Sequence, residues 1–117
     1  MLRGSRRYRL TGTGAFEAVF RSGRRREGQF LQLITMPAAR EIGRTGIVIG
    51  RKALPLAVDR NRVRRLLRVR LHEARPAIER HDLVLRLKKR AARSEFALIA
   101  DEAAQLLSAI AANRETP

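Results

Sequence analysis

Arg60, Arg64 and Arg68 recur at four-residue intervals, with Asn61, Arg62 and Arg65 set among them. Guanidinium groups stay protonated at any physiological pH, so their chemistry is not proton transfer. They bind anions, above all phosphate oxygens, which match the planar fork of N–H donors. Four apart on a helix they also repel one another, and the only nearby acids are Asp59 and Glu73. A row of like charges that costs folding stability points to a polyanion that neutralises it. An ordinary amphipathic helix with a solvated basic face would carry the same row, and the remaining residues must decide between the two.

Other chemistry is hard to assemble from this chain. Its acids are Asp59, Asp82, Asp101 and eight glutamates, scattered without the spacing of a metal site. His72 and His81 fall on different elements, so they make no acid–base pair. Gly12-Thr13-Gly14 lacks the lysine of a phosphate-cradling P-loop. There is no cysteine, hence no disulfide or thiolate zinc site, which fits a cytoplasmic protein. No apolar run reaches the roughly 18 residues of a membrane span. A formal net charge of +15 on 117 residues far exceeds what solubility needs and reads as a nucleic-acid footprint.

The arginine row requires a helix to carry it. At about 100° per residue over positions 55–75, Leu56, Val63, Leu66, Leu67, Leu71 and Ala74 share one side. Asn61, Arg64, Arg65, Arg68, His72 and Arg75 share the other, with Arg60 at the border. Pro55 suits a first helical turn and Pro76 stops the helix. Arg70 falls in the apolar sector and is expected to snorkel to its edge. Upstream, 14–21 reads as a short helix ended by Gly23, with Glu17 supporting its first turn. Its Phe16, Val19 and Phe20 form one face, which on a small helix is more often a core anchor than a stacking platform. Strands are expected at 29–36, 45–50 and 82–87, the last continuing into Lys88, Lys89 and Arg90. A final helix over 94–112, with Ser94 as a plausible cap, presents Phe96, Ile99, Ala103, Leu106, Leu107 and Ile110. The expected organisation is a basic arm over 1–9, one domain over 10–112 and a short tail over 113–117. The order helix, strands, helix, strand, helix makes a small two-layer α+β sandwich, in which 45–87 has the length of a βαβ crossover.

A basic helix flanked by strands, without a short-turned partner helix, suits structured RNA better than a DNA major groove. The run from Ala57 to Arg68, Ala-Val-Asp-Arg-Asn-Arg-Val-Arg-Arg-Leu-Leu-Arg, then resembles the "RNR" signature of the bacterial ribonuclease P protein family. Gly46-Ile47-Val48-Ile49-Gly50-Arg51-Lys52 is similar to the strand and paired basic residues that precede that signature. Phe16-Glu17-Ala18-Val19-Phe20-Arg21-Ser22-Gly23 resembles the family's F-x-x-V-F-x-x-G helix, and His81-Asp82-Leu83-Val84-Leu85 its last strand. The four blocks occur in order across about 10–112.

The resemblance implies a ribosomal-protein-like α+β fold with a left-handed crossover around the basic helix, against the usual hand. It implies a protein subunit that assists a catalytic RNA in endonucleolytic removal of the 5′ leader of precursor tRNA. Hydrolysis and most Mg²⁺ binding fall to the RNA, and no side chain of the protein is catalytic. RNase P RNA and precursor tRNA are the implied partners, with neither membrane nor DNA expected. By position, Arg51, Lys52, Arg60, Asn61, Arg62, Arg64, Arg65 and Arg68 fall in the RNA-contacting set. Phe16 and Phe20 line the leader cleft, joined by Leu33 where the family often has an aromatic. Val69 replaces an acid that usually follows the basic run. A ribosomal or general RNA-chaperone protein would share the charge, and is the alternative.

Overall fold

The computed structural model describes residues 8–112. Most of the expected basic arm and the whole tail over 113–117 therefore lie outside the described residues. The elements are α1 (Thr13–Ser22), β1 (Arg24–Glu27), β2 (Leu31–Pro37), β3 (Thr45–Val48), α2 (Ala57–Glu73), β4 (His81–Leu87) and α3 (Phe96–Ala112), with a 3-10 turn at Arg93–Glu95. The four strands form one sheet in the order β1-β2-β4-β3. β1 and β2, and β2 and β4, run antiparallel, whereas β3 and β4 are parallel and are joined by α2. The chain is thus a mixed α+β fold containing a βαβ unit, as the spacing predicts.

Packing follows from side-chain alternation along the strands. Leu31, Leu33, Leu83, Leu85 and Leu87 point to one face, where they meet Val63, Leu67 and Leu71 of α2 and Ile99, Ala103, Leu107 and Ile110 of α3. Full burial of each such leucine contributes about 1.5–3 kcal/mol. Ile34 and Val84 point to the other face, part of which α1 covers with Val19, flanked by Phe16 and Phe20. Between sheet and α2/α3 lies the expected two-layer core, and α1 adds a partial cover behind it.

Several local expectations change. β1 is a strand made of Arg24, Arg25, Arg26 and Glu27, with no apolar alternation to announce it. α1 begins at Thr13 after Gly12, whose φ of 87° favours glycine, and Glu17 stands 4.0 Å from Arg21 rather than bracing the first turn. α2 begins at Ala57, so Pro55 precedes it, and Leu56 at its N-cap is 54% exposed instead of buried. β4 ends at Leu87, leaving Lys88, Lys89 and Arg90 in the following loop. Ser94 lies in the 3-10 turn, where the Glu95 carboxylate accepts a 2.8 Å bond from the Ala92 N–H. Arg70 does reach the edge of its apolar sector, pairing with Glu73 at 3.2 Å and with Asp101 of α3 at 3.3 Å.

Buried acids clamp the frame together. Asp59, near the start of α2, accepts a 2.9 Å bond from Arg93 just before α3. Asp82 accepts from the backbone N–H groups of Ala39 and Arg44, closing the 38–44 loop onto β4. Such paired, hydrogen-bonded carboxylates are the form in which buried charge is tolerated.

Candidate RNA interface

The burial of Val63, Leu67 and Leu71 against the sheet fixes the rotation of α2 and turns its other side outward. Asn61, Arg62 and Arg65 are exposed there, and Arg64 and Arg68 are half-buried. Arg51 and Lys52 are exposed on the turn between β3 and α2. Among the described residues, none of these cations pairs with a carboxylate; the ion pairs involve Arg21, Arg70, Arg75, Lys88 and Arg93. Arg64 reaches only the neutral side-chain oxygen of Asn61, at 3.3 Å. The row is therefore an uncompensated positive surface.

Arg60 behaves differently from its neighbours in the motif. Its guanidinium donates to the carbonyls of Leu54 and Pro55 at 2.7 and 2.9 Å. It ties down the loop that enters α2, so its first task is to hold the helix start rather than to sit free for RNA.

The row opens onto a concavity that joins both candidate helices. A pocket of about 140 Å³ is lined by Tyr8, Arg9, Phe16, Arg64, Arg68 and His72, with Gly46, Ile47 and Leu71 beneath them. It lies at the β3 edge of the sheet, between α1 on one face and α2 on the other. Gly46 permits this: a Cβ there would stand 2.6 Å from Phe16 Cε1, so only glycine lets the ring lie on β3. Burial and the nearby Arg9 and Arg64 guanidiniums push Arg68 below the ordinary arginine range. Burial is the larger cause, and the two neighbouring cations add repulsion to it. Phosphate binding in such a pocket would relieve repulsion as well as gain charge-assisted bonds.

Sequence reasoning placed Tyr8 and Arg9 in the arm, yet both are built into this wall. Leu10 N–H donates to the Thr45 carbonyl at 2.7 Å, the Thr45 hydroxyl donates to the Tyr8 carbonyl at 3.2 Å, and Arg9 bridges Thr45 alongside β3. Arg75 stacks 3.8 Å from the Tyr8 ring centre, pairs with Glu79 at 3.2 Å and donates to the Gly43 carbonyl at 3.0 Å. Its side chain is 8% exposed, so Arg75 is a structural member of the polar face. Nothing in the local sequence separates it from Arg68.

The phenylalanine face divides as its burial dictates. Val19 is 1% exposed and anchors α1, while Phe16 and Phe20 stand half-buried on either side. Leu33 does not join them. It is fully buried on the opposite face, beneath α2 and α3, because it is one residue out of phase with Ile34. The β2 residues that share the α1 side are Gln32, Ile34 and Met36, so Leu33 is a core residue and has no place in a cleft.

A family model described as Ribonuclease P matches residues 5–111. The chain is similar to the ribonuclease P protein component of Aromatoleum aromaticum, with 35% identity over 100 residues covering 86% of this chain and 84% of that one. It is similar to that of Acidothermus cellulolyticus, with 40% identity over 105 residues and 86% of each chain covered. Among solved structures, the RNase P protein of Staphylococcus aureus superposes with a TM-score of 0.78 at 19% identity, over 87% of this chain and 94% of that one. The RNase P protein of Thermotoga maritima gives 0.72 at 23% identity, over 87% and 96%. These two likenesses establish a shared fold. With the matched family model and relatives spanning most of their own length, the chain belongs to the ribonuclease P protein family.

Proposed function

We propose that this chain is the RNA-gripping protein subunit of ribonuclease P, binding the catalytic RNA along the outer side of α2 and the 5′ leader of precursor tRNA beside α1. The observation that carries this reading is the α2 row itself, turned outward and left without carboxylate partners among the described residues. Endonucleolytic hydrolysis of the phosphodiester bond belongs to the RNA, with Mg²⁺ held there. Among the described residues no group of His, Cys, Asp and Glu is arranged to hold a metal ion. The protein's part is electrostatic and positional: it screens repulsion between two RNAs and so lowers the ion concentration that the ribozyme requires.

Reconstitution tests this reading. The protein combined with a ribonuclease P RNA at low Mg²⁺ should release the leader from precursor tRNA, and neither component alone should do so under those conditions. Cleavage by protein free of RNA would overturn the division of labour, and no stimulation of the RNA would favour a general RNA chaperone. Phe20→Ala should weaken precursor binding about tenfold while leaving mature tRNA binding unchanged, since one lost base stack is worth about 1–3 kcal/mol. An equal loss for both RNAs, or a collapse of the melting transition, would return Phe20 to a purely packing role.

A further inference from the structure

The open part of the sheet's second face, beyond the cover of α1, carries a constellation outside both the α2 row and the pocket. Arg86 is the one charged residue within the otherwise apolar Leu83–Leu87 stretch of β4, and it is exposed. Across the β2–β4 ladder it pairs directly with Gln32, and across β1–β2 Gln32 pairs with Glu27. Arg25, two residues from Glu27 on β1, shares that face. Arg25 Nη1 donates to Gln32 Oε1 at 3.2 Å, and Arg86 Nη1 lies 3.5 Å from the same oxygen. Arg25 Nη2 also donates to the Phe20 carbonyl at 2.8 Å, which ties this guanidinium to the backbone of α1 at the residue whose ring is half-buried.

One neutral oxygen thus stands between two guanidiniums. The local acid gives neither of them a hydrogen bond: Glu27 accepts 2.7 Å from Gln32 Nε2 and 2.9 Å from Lys88, and it acts on Arg25 only through space. Those two contacts hold its carboxyl below the usual range, so it stays ionised and engaged. The bond from Gln32 Nε2 sets the amide with its nitrogen toward Glu27 and its oxygen toward the arginines. Gln32 Oε1 occupies the position that a phosphate oxygen would take, without the charge of one.

We propose that Arg25 and Arg86 form a phosphodiester clamp for single-stranded RNA on this face, gripping the leader backbone next to a base stacked on Phe20. The clamp rests on the leader-binding reading given above. It tolerates any sequence, because phosphate contacts position a strand without reading its bases.

The test uses the reconstituted enzyme with three RNAs: precursor tRNA with a long leader, the same tRNA with a leader of one nucleotide, and mature tRNA. Arg86→Gln should lower affinity for the long-leader RNA about tenfold and make its salt dependence shallower by about one phosphate contact. Binding of the other two RNAs and the melting temperature should stay at wild-type values, and Arg86→Lys should restore part of the loss. If Arg86→Gln leaves long-leader binding and its salt dependence unchanged while Phe20→Ala weakens them, the clamp is wrong and the leader reading stands. If both variants are silent, the leader reading falls and takes the clamp with it. An equal loss for all three RNAs would make the patch a general polyanion contact and overturn the clamp.

Discussion

Replacing Arg64 and Arg68 together with glutamate lowers affinity for the ribonuclease P RNA by about 10²–10⁴ at moderate salt. Each arginine removed forfeits charge-assisted bonds worth about 1.5–3 kcal/mol, and each glutamate adds repulsion from phosphate. The salt dependence should flatten by at least two contacts' worth, since each neutralised phosphate contributes about one unit of slope. The fold should survive, and the reason is local. Burial, and then the neighbouring Arg9 and Arg64, already disfavour a charge at Arg68, and a carboxylate there exchanges repulsion from Arg9 for attraction. Arg70→Glu is the informative control, because it changes net charge by the same amount per site from within the same helix. Arg70 bridges Glu73 and Asp101, so its reversal should cost stability and spare most of the RNA affinity. Equal loss of RNA binding from both variants would mean that net charge, and not the outward row, does the binding.

What was legible in the sequence was whatever repeats with a helical period. The α3 stripe and the two sides of α2 follow from apolar spacing alone, because burial against a flat sheet selects one side of each helix. β1 was invisible for the opposite reason. Four charged residues on an edge strand bury neither face deeply, and their pairing with β2 supplies the order that composition does not. Leu33 was misplaced because β2 is apolar on both faces: α2 and α3 cover Leu31 and Leu33 while α1 covers Ile34. Alternation then says which residues share a side, not which side meets α1. Arg60, Arg68 and Arg75 look alike in sequence and do different things, one holding a loop, one crowding a pocket and one buried under Tyr8. Their roles depend on residues 54, 9 and 8, brought in by the fold. The four-block family resemblance named the candidate interface; the geometry shows that its arginines have unlike surroundings.

The largest effect on stability should come from Glu102, which no motif contains. From the second turn of α3 its carboxylate accepts hydrogen bonds from three successive backbone N–H groups, those of Gln29, Phe30 and Leu31, at distances from 2.7 to 3.2 Å. This is an anion nest at the β1–β2 turn, filled by the protein's own side chain. Gly28 is part of the fit, because a Cβ at that position would collide with the carboxylate. Phe30 and Leu31 are buried, so their N–H groups have no ready access to water once the acceptor is gone. Glu102→Ala should therefore destabilise the fold by about 2–4 kcal/mol, and lower Tm by roughly 10–15 °C in a domain of this size. Glu102→Gln, which keeps one acceptor oxygen and no charge, should fall between. Because the same latch holds the turn that joins β1 to β2, the alanine variant should also loosen Arg25 and lose leader-dependent affinity at temperatures where the protein is still folded. Thermal unfolding followed by circular dichroism, alongside amide exchange at residues 29–31, separates these effects. Unchanged Tm and unchanged protection of those amides would show that water satisfies the nest as well as Glu102 does, and that the β1–β2 turn is held by its ladder alone.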